Sequence, residues 1–419
     1  MKIKEVQAYE ILASNGYPTL ECIVVLEDGS LGKASVPYGV SAGSYEATVL
    51  RDNDPRRYAG GGMLKAKNNI QTIISPALVG QDAFNQRQID QIMLDLDGTA
   101  TKSRLGGNAI LVVSIAVAKA AATSQKKDLY QYIIDTYQTG VDLTSLPQPM
   151  TVVIEGGKHA DNTTDLQEYC LSATRTSSIE NNLQMIMETY HELAKVLKNN
   201  ALSTNVGNEG AFAPSGITSN EAPFAYILEA IEKAGYLPKS DIGISIDAAA
   251  NEFFINGRYN LKLENRFLSP DELISYYTTW MAKYPIITME DMLSEDDWEN
   301  WKKLKIVCDK YHIPLIGDDL TVTNITRLNK AIERKAISAI LIKLNQIGTL
   351  TETIDCCQLA RQNGLITITS HRGGGETNDT TMVDVAVAVG SAFIKVGPTR
   401  GERVSKYNRL IAIAKKLGR

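Results

Sequence analysis

The sequence has few of the features that indicate a secreted or membrane-spanning protein. Cysteine is scarce, at five residues in 419, and an odd number without a CxxC spacing predicts no disulfide framework and a reducing, cytoplasmic setting. The amino terminus lacks the apolar segment of a signal peptide. The longest apolar stretch, Ala109–Ala122, is interrupted by Ser114 and Lys119 and is shorter than a bilayer-spanning helix, so no membrane span is expected.

An excess of positive charge is also missing. The formal net charge is −5, which gives no reason to expect binding to nucleic acid. The hydrophobic fraction of 44% and the charged fraction of 22% are typical of a soluble globular protein. A chain of 419 residues is long enough for two domains, one of which can be as large as an α/β barrel.

The chain divides into two parts with different patterns. In the first part three short strands precede three helices, which is typical of an α+β domain; these elements are Lys4–Leu12, Thr19–Glu27, Leu31–Pro37, Met63–Ile74, Gln86–Leu96 and Asn108–Ala122. The second part begins with a linker at Thr139–Pro149 and then alternates strands with helices. We therefore predict an N-terminal α+β cap domain over residues 1–135 and a catalytic α/β barrel over residues 136–419.

Six apolar segments of the second part end in charged residues. In chain order these residues are Asp247, Glu290, Asp318, Lys343, His371 with Arg372, and Lys395. By subtraction of residue numbers they follow one another at 43, 28, 25, 28 and 24 positions, about the length of a βα unit. Parallel strands with charged groups at their carboxyl ends are how an α/β barrel builds an active site.

The three carboxylates in that series predict a metal site. Asp247, Glu290 and Asp318 converge at one end of a barrel, where unpaired anions repel one another strongly. A hard divalent cation relieves this repulsion, and a set of oxygen ligands favours Mg²⁺ over zinc. The alternative is that each acid caps the helix that follows its strand.

Residues able to move protons accompany these carboxylates. Glu209 lies in a glycine-rich turn and suits a general acid if neighbours such as Glu168 raise its pKa; a solvated loop glutamate is the alternative. Lys343 and Lys395 are expected to point into the barrel mouth. One would bind an anion and the other would act as a base whose pKa is lowered by nearby cations or a metal. A structural ion pair is the alternative for either lysine.

Three loops rich in small residues complete the predicted site. The segment SHRGGGET offers Arg372 as a bidentate donor to a phosphate, with glycine amides beside it. The loop Pro37–Ala47 contains Ser41, and the loop Glu155–Asn162 contains His159. Their small residues suit lids that close over a ligand, although ordinary flexible loops have the same composition.

Taken together these segments resemble the enolase family over essentially the whole chain. The similarity rests on LRD near Arg51, DLDGT, NAIL, LQEY, NVGNEG, GDDLTVTN, KLNQIG, SHRGGGET and ERVSKYN, of which GDDLTVTN and KLNQIG are long and highly specific. The resemblance implies an α/β fold with an eight-stranded enolase-type barrel, whose first strands depart from βα alternation, and an N-terminal α+β cap. It also implies a cytoplasmic, Mg²⁺-dependent hydro-lyase that converts 2-phosphoglycerate to phosphoenolpyruvate in glycolysis.

The resemblance implies a role for each candidate residue. Lys343 would remove the C2 proton of the substrate, and Glu209, supported by Glu168, would protonate the departing C3 hydroxyl. The metal ligands would be Asp247, Glu290 and Asp318 for the first magnesium and Ser41 for a second. The substrate-binding residues would be His159, Glu168, His371, Arg372 and Lys395.

The chain departs from the family motifs in several loops. DSRGNPT reads ASNGYPT from Ala13, SGAST reads YGVSA from Tyr38, NGGSHAG reads EGGKHAD from Glu155, and GDEGG reads GNEGA from Gly207. HRSGET has Gly373 in place of its serine and one further glycine, which removes a hydroxyl donor to a charged group. We therefore expect Gly373→Ser with deletion of Gly374 to lower KM for 2-phosphoglycerate.

Two alternatives to this activity stay open. The altered loops suit a divergent paralogue that dehydrates a related anionic 2-substituted 3-hydroxy acid. A non-catalytic binding or scaffold protein, including one at a cell surface, is the other alternative, but it has no need of Lys343 and Glu209. The resemblance also implies a homo-oligomer, although the arginine that pairs with the glutamate aligned to Glu21 is replaced here by Ala412.

Overall fold

An antiparallel sheet and a group of helices form the amino-terminal part of the chain, in a computed structural model that describes residues 1–39, 43–175 and 177–419. The strands are β1 (Ile3–Leu12), β2 (Pro18–Leu26), β3 (Leu31–Ser35) and the two-residue β4 (Tyr38–Gly39). The helices are α1 (Leu64–Asn69), α2 (Ser75–Leu78), α3 (Gln86–Asp97), α4 (Gly107–Ser124) and α5 (Leu129–Tyr137). The predicted strands and helices are confirmed, and α5 is an additional helix.

Helix α4 packs against β2 and β3 and forms the centre of this part. It is apolar on every side and almost completely buried, which is the environment such a helix requires. With a mean hydropathy of 1.5 over 18 residues, it is long and apolar enough to cross a membrane by length and composition alone. Because 83% of this window is buried inside the fold, its surroundings are those of a core helix.

The remainder of the chain alternates strands and helices. The strands are β5 (Gln148–Glu155), β6 (Glu168–Ala173), β7 (Ile242–Asp247), β8 (Phe254–Ile255), β9 (Arg258–Leu261), β10 (Arg266–Leu268), β11 (Ile286–Glu290), β12 (Leu315–Gly317), β13 (Ala339–Ile342), β14 (Ile366–Ser370), β15 (Gly374–Gly375) and β16 (Phe393–Val396). The helices are α6 (Ile179–Asn199), α7 (Ala222–Lys233), α8 (Pro270–Lys283), α9 (Trp298–Lys310), α10 (Ile325–Glu333), α11 (Leu344–Ile347), α12 (Leu350–Gln362), α13 (Thr381–Val389) and α14 (Gly401–Lys416).

Eight of these strands close into a barrel in the order β11-β12-β13-β14-β16-β5-β6-β7. The neighbours from β7 round to β5 are parallel, but β6 is antiparallel to both β5 and β7. A loop without a helix, residues 156–167, joins β5 to β6 and lets the chain turn straight back. The expected eight-stranded α/β barrel with irregular first strands is therefore confirmed, and the first residue of β6 lies at the same mouth as the last residue of β5.

Helix α12 of the barrel contacts the amino-terminal helices. The backbone N–H of Thr351 donates to Oδ2 of Asp90 at 3.0 Å, and that of Leu350 donates to Oγ of Ser114, also at 3.0 Å. The boundary predicted after residue 135 lies within α5. The division of the chain into 1–135 and 136–419 stays a prediction.

Candidate active site

Four carboxylates lie side by side around the barrel mouth. Glu155 pairs with Glu168 across β5 and β6, Glu168 pairs with Asp247 across β6 and β7, and Asp247 pairs with Glu290 across β7 and β11. Directly opposed residues of neighbouring strands have Cβ atoms only about 5 Å apart. Asp318 directly follows β12, the next strand of the barrel. All five side chains are buried, so the mouth concentrates negative charge away from water.

Two lysines neutralise part of this charge. Nζ of Lys395 lies 2.7 Å from Glu168, 3.0 Å from Asp247 and 2.8 Å from Glu290, and Nζ of Lys343 donates to Oδ2 of Asp318. Lys395 lies inside β16 and not beyond its end as the sequence pattern suggested, but its side chain reaches the mouth. Lys343 follows β13 as predicted.

The two lysines are held in their charged forms. Burial alone would lower the pKa of Lys343, but the adjoining Asp318 carboxylate raises it above the ordinary value. Burial is likewise outweighed at Lys395, whose pKa is raised by Asp247, Glu168 and Glu290. The chain's own residues therefore do not produce the lowered lysine pKa that was expected from nearby cations.

The surplus of acid fits a divalent cation. The carboxylates of Glu168, Asp247, Glu290 and Asp318 outnumber the paired ammonium groups of Lys343 and Lys395 by two. The imidazole of His159 beside Glu168 offsets one of these two charges. Burial raises the pKa of Asp247 and of Glu290, and the repulsion of neighbouring carboxylates raises both further. Oxygen donors in a buried site with unbalanced negative charge are the ligands that Mg²⁺ prefers.

The helix-capping alternative for these acids is wrong. The helices that follow β7, β11 and β12 are a short 3₁₀ helix (Ala250–Phe253), α9 and α10. Their N-cap residues are Ala249, Asp297 and Asn324. Only Asp247 has a local backbone bond of this kind, from the N–H of Ala249 to Oδ1 at 2.9 Å. Its other oxygen faces Lys395.

Two tighter groups of potential metal ligands also occur among the described residues. One is His159, Glu168 and Glu209, and the other is Asp291, Asp318 and Asp319. Asp291 uses its two oxygens to accept the backbone N–H groups of Asp318 and Asp319, at 2.9 and 2.7 Å. Asp291 therefore fixes the start of the loop that carries Asp318. The other group contains the imidazole of His159, which suits Mg²⁺ less well than oxygen donors. We retain Asp247, Glu290 and Asp318 as the candidate metal ligands.

Glu209 is fully buried between two imidazole rings. Its Oε2 lies 3.1 Å from Nε2 of His371, and its Oε1 lies 3.4 Å from Nδ1 of His159. Nδ1 of His159 is also 3.2 Å from Oε1 of Glu168. His159 thus links the carboxyl group of Glu209 to the row of acids around Lys395.

The imidazoles set the ionisation of Glu209. Burial opposes its charge, but His371 and then His159 lower its pKa below the ordinary range. The expectation that neighbours such as Glu168 raise the pKa of Glu209 is therefore wrong. Burial would lower the pKa of His159, but Glu168 and Glu209 raise it to about 9, so His159 is protonated at neutral pH.

The loop after β14 carries the candidate anion-binding groups. Nη1 of Arg372 lies 2.8 Å from Oε1 of Glu46, and both side chains are buried. The next residues form β15, which pairs with β4 at the base of the loop predicted to be a lid. Oγ of Ser14 donates to the carbonyl of Gly374 at 2.9 Å. Three of the segments that depart from the family motifs therefore contact one another.

Gly373 lies directly against His159 and Glu209, two of the candidate site residues. A Cβ atom at this position would be 2.3 Å from Cε1 of His159 and 2.6 Å from Oε1 of Glu209, closer than real Cβ contacts. Deleting Gly374 would also remove the residue that pairs with Gly39 in β4. The expectation that Gly373→Ser with deletion of Gly374 lowers KM does not take account of these contacts, and it stays a prediction.

Most of the predicted site residues come together at the mouth. They are His159, Glu168, Glu209, Asp247, Glu290, Asp318, Lys343, His371, Arg372 and Lys395. Ser41 lies outside the described residues, and its role stays a prediction. Sequence reasoning missed Glu46 and Glu155. Glu155 ends the apolar segment MTVVIE much as Glu290 ends IITME, so the same strand-end pattern could have found it.

The fold and mouth together define a capped α/β barrel protein with a buried site of carboxylates, lysines and histidines. Residues 3–133 match the family model of the enolase N-terminal domain, and residues 143–419 match that of the enolase C-terminal TIM barrel domain. The chain belongs to the enolase family.

Proposed function

We propose that this protein is a Mg²⁺-dependent hydro-lyase that dehydrates 2-phosphoglycerate to phosphoenolpyruvate. The observation that supports this best is a row of buried charged side chains on neighbouring strands, with a lysine at one end and a carboxyl group at the other. Lys343 bonds to Asp318 at the first end, Lys395 joins three carboxylates in the middle, and His159 leads to Glu209 at the second end. Removal of a proton and loss of a hydroxyl from adjacent carbons need such a pair of groups.

Lys343 is proposed as the base that takes the C2 proton. It must lose its own proton first, which requires that the charge of Asp318 be engaged elsewhere. When bound by Asp318, Asp247 and Glu290, Mg²⁺ supplies charge that stabilises a doubly anionic carboxylate. The ammonium group of Lys395, held by three carboxylates, stays charged and adds a second fixed positive group beside that developing charge.

Glu209 is proposed as the acid that protonates the departing C3 hydroxyl. The neighbouring imidazoles hold its pKa low, so it must gain a proton before it can act. His371 lies within hydrogen-bond distance, and with a proton on Nε2 it can pass that proton to Glu209 along one hydrogen bond. His159, which pairs with Glu168, holds Glu209 in place from the other side.

Arg372 is proposed to bind the phosphate group, since a guanidinium fork matches phosphate geometry. Placement in glycolysis, a cytoplasmic location and a homo-oligomeric assembly are further parts of the proposal. In this chain the carboxylate of Glu21 lies 2.9 Å from Nζ of Lys33, so it has a partner within the chain in place of the arginine of the family.

A second candidate is dehydration of a related anionic 2-substituted 3-hydroxy acid. The observation that favours it is the anion-binding loop, in which Gly373 replaces a serine and packs on His159. The test is a continuous absorbance assay for phosphoenolpyruvate, with and without Mg²⁺, followed by a panel of 2-substituted 3-hydroxy acids. The first proposal requires 2-phosphoglycerate to give the highest kcat/KM. A higher value for another acid would favour the second candidate, and no turnover of any acid would reject both.

A further inference from the structure

The backbone turn that carries Glu209 is held by a buried carboxyl group from β5. Oε1 of Glu155 accepts the N–H of Glu209 at 3.0 Å and the N–H of Ala211 at 2.8 Å, and Oε2 lies 3.2 Å from the same Glu209 nitrogen. The backbone N–H of Glu155 in turn donates to the carbonyl of Phe212 at 2.9 Å. One residue therefore fixes both the middle and the end of this turn.

The surroundings of Glu155 indicate that this contact is specific. The side chain is fully buried, and burial together with the nearby Glu209 carboxylate raises its pKa to about 8. A carboxyl group is rarely buried unless it is well paired. The turn also passes very close to it, because a Cβ atom at Gly207 would lie 2.5 Å from Oε2 of Glu155.

The sequence carries a matching exchange of residue types. Where the enolase motif NGGSHAG has asparagine, this chain has Glu155, and where GDEGG has aspartate next to the glutamate, it has Asn208. One carboxyl group is thus gained on β5 and one is lost in the turn. The two positions are adjacent in space, since Glu155 binds the N–H that directly follows Asn208. The number of acidic side chains around Glu209 is therefore unchanged.

We propose that Glu155 is a positioning residue for Glu209. It holds the turn Gly207–Ala211 and so places the carboxyl group of Glu209. Glu155 does not touch the reacting atoms and acts through the backbone of the turn. The inference rests on the proposed function in one respect, that Glu209 is the acid. It does not involve the base Lys343, which lies on another part of the barrel and bonds to Asp318.

The test separates proton removal from loss of the hydroxyl. In Glu155→Ala, exchange of the C2 proton of 2-phosphoglycerate with solvent should stay within about threefold of wild type. Formation of phosphoenolpyruvate should fall about 10- to 100-fold in kcat, the usual effect of a small misplacement of a reacting group. A residue that only supports the fold would lower both rates together. If the alanine variant does not fold, the same two rates are measured in Glu155→Gln, which keeps the shape of the side chain.

A rescue experiment tests the exchange of residue types. Glu155→Asn alone should be impaired, and Glu155→Asn combined with Asn208→Asp should recover at least about tenfold in kcat. Asp90→Asn is the matched control, because Asp90 is an equally buried carboxyl group that binds the N–H of Thr351, away from the mouth. It should affect both rates equally or not at all. Equal loss of both rates in Glu155→Ala, or no recovery in the double variant, would overturn the proposal.

A measurement independent of activity distinguishes this inference from the proposed function. Amide hydrogen exchange of the peptide containing residues 207–211 should be at least about tenfold faster in Glu155→Ala, whereas a peptide from β13 should be unchanged. If wild type shows neither proton exchange nor dehydration of 2-phosphoglycerate, the proposed function fails while the amide result still tests the contact. If the amides of this turn stay protected in Glu155→Ala, the positioning role is wrong whatever the activity.

Discussion

The guanidinium group of Arg372 and the carboxylate of Glu46 form a buried ion pair, with 2.8 Å between Nη1 and Oε1. The residue proposed to bind phosphate is therefore neutralised within the chain, and an incoming anion must compete with Glu46. We expect Glu46→Gln to bind inorganic phosphate up to about tenfold more tightly, equivalent to about 1.4 kcal/mol. Competitive inhibition by phosphate measures this directly.

Glu295→Gln is the control for that variant, because Glu295 binds Ser44 of the same loop but does not contact Arg372. Its phosphate affinity should match wild type. Weaker phosphate binding in Glu46→Gln would mean that Glu46 orients Arg372 for the anion and does not compete with it.

Removal of the metal should abolish activity. Because the buried acids exceed the lysines by two charges, excess chelator should stop phosphoenolpyruvate formation and added Mg²⁺ should restore it. Mg²⁺ should also raise Tm, since a ligand that binds only the folded state stabilises it. Asp318→Asn should lose both effects, whereas Asp291→Asn, which alters a residue that binds backbone N–H groups, should keep the rise in Tm. Full activity in chelator would rule out the metal assignment.

An isotope-exchange experiment should distinguish the roles of the proposed base and the proposed acid. Lys343→Ala and Glu209→Gln should each lower kcat by about 10²–10⁴-fold, the usual contribution of a positioned proton-transfer group. Exchange of the C2 proton with solvent should vanish in Lys343→Ala and persist in Glu209→Gln, because the hydroxyl leaves after the proton is removed. Retained exchange in Lys343→Ala would assign the base to another residue.

Substitution of Gly373 should impair the enzyme, which reverses the expectation from the family motif. A side chain here would press on His159 and Glu209, so Gly373→Ala and Gly373→Ser should both lower kcat by at least about tenfold. Deletion of Gly374 as well should not restore it, because the pairing of β15 with β4 is lost. Steady-state kinetics with 2-phosphoglycerate measures both effects, and a lower KM with unchanged kcat in the serine variant would support the original expectation.

The ionisation of His159 should make stability depend on pH. Its pKa is raised from an ordinary value of 6.5 to about 9 in the fold. The protonated imidazole therefore contributes its full stabilisation below about pH 6.5, and this contribution is lost as the pH rises through about 9. The free energy of unfolding in urea should fall more between pH 6 and pH 9.5 for wild type than for His159→Gln. His191→Gln, which alters an exposed histidine of α6, should behave like wild type.

The sequence predicted those parts of the site that follow from local pattern. Asp247 and Glu290 are the last residues of buried strands, and Asp318 and Lys343 directly follow two further buried strands. The position of all four at the mouth could therefore be inferred from the spacing of the apolar segments alone. The Glu46–Arg372 pair joins residues far apart in the chain and has no such signal. The effect of a side chain at position 373 could not be predicted from the sequence either, because it depends on how closely the loop approaches His159.

Because β6 runs antiparallel to β5, the site depends on the single hairpin that these two strands form. Side chains of a strand alternate between its two faces, so a slip of one residue against β5 would turn Glu168 out of the mouth and could bring in Tyr169. Lys395 would lose one of its three carboxylates, and His159 would lose its link to that row. Insertions or deletions in residues 156–167 are therefore expected to uncouple the two halves of the reaction even where every catalytic side chain is retained.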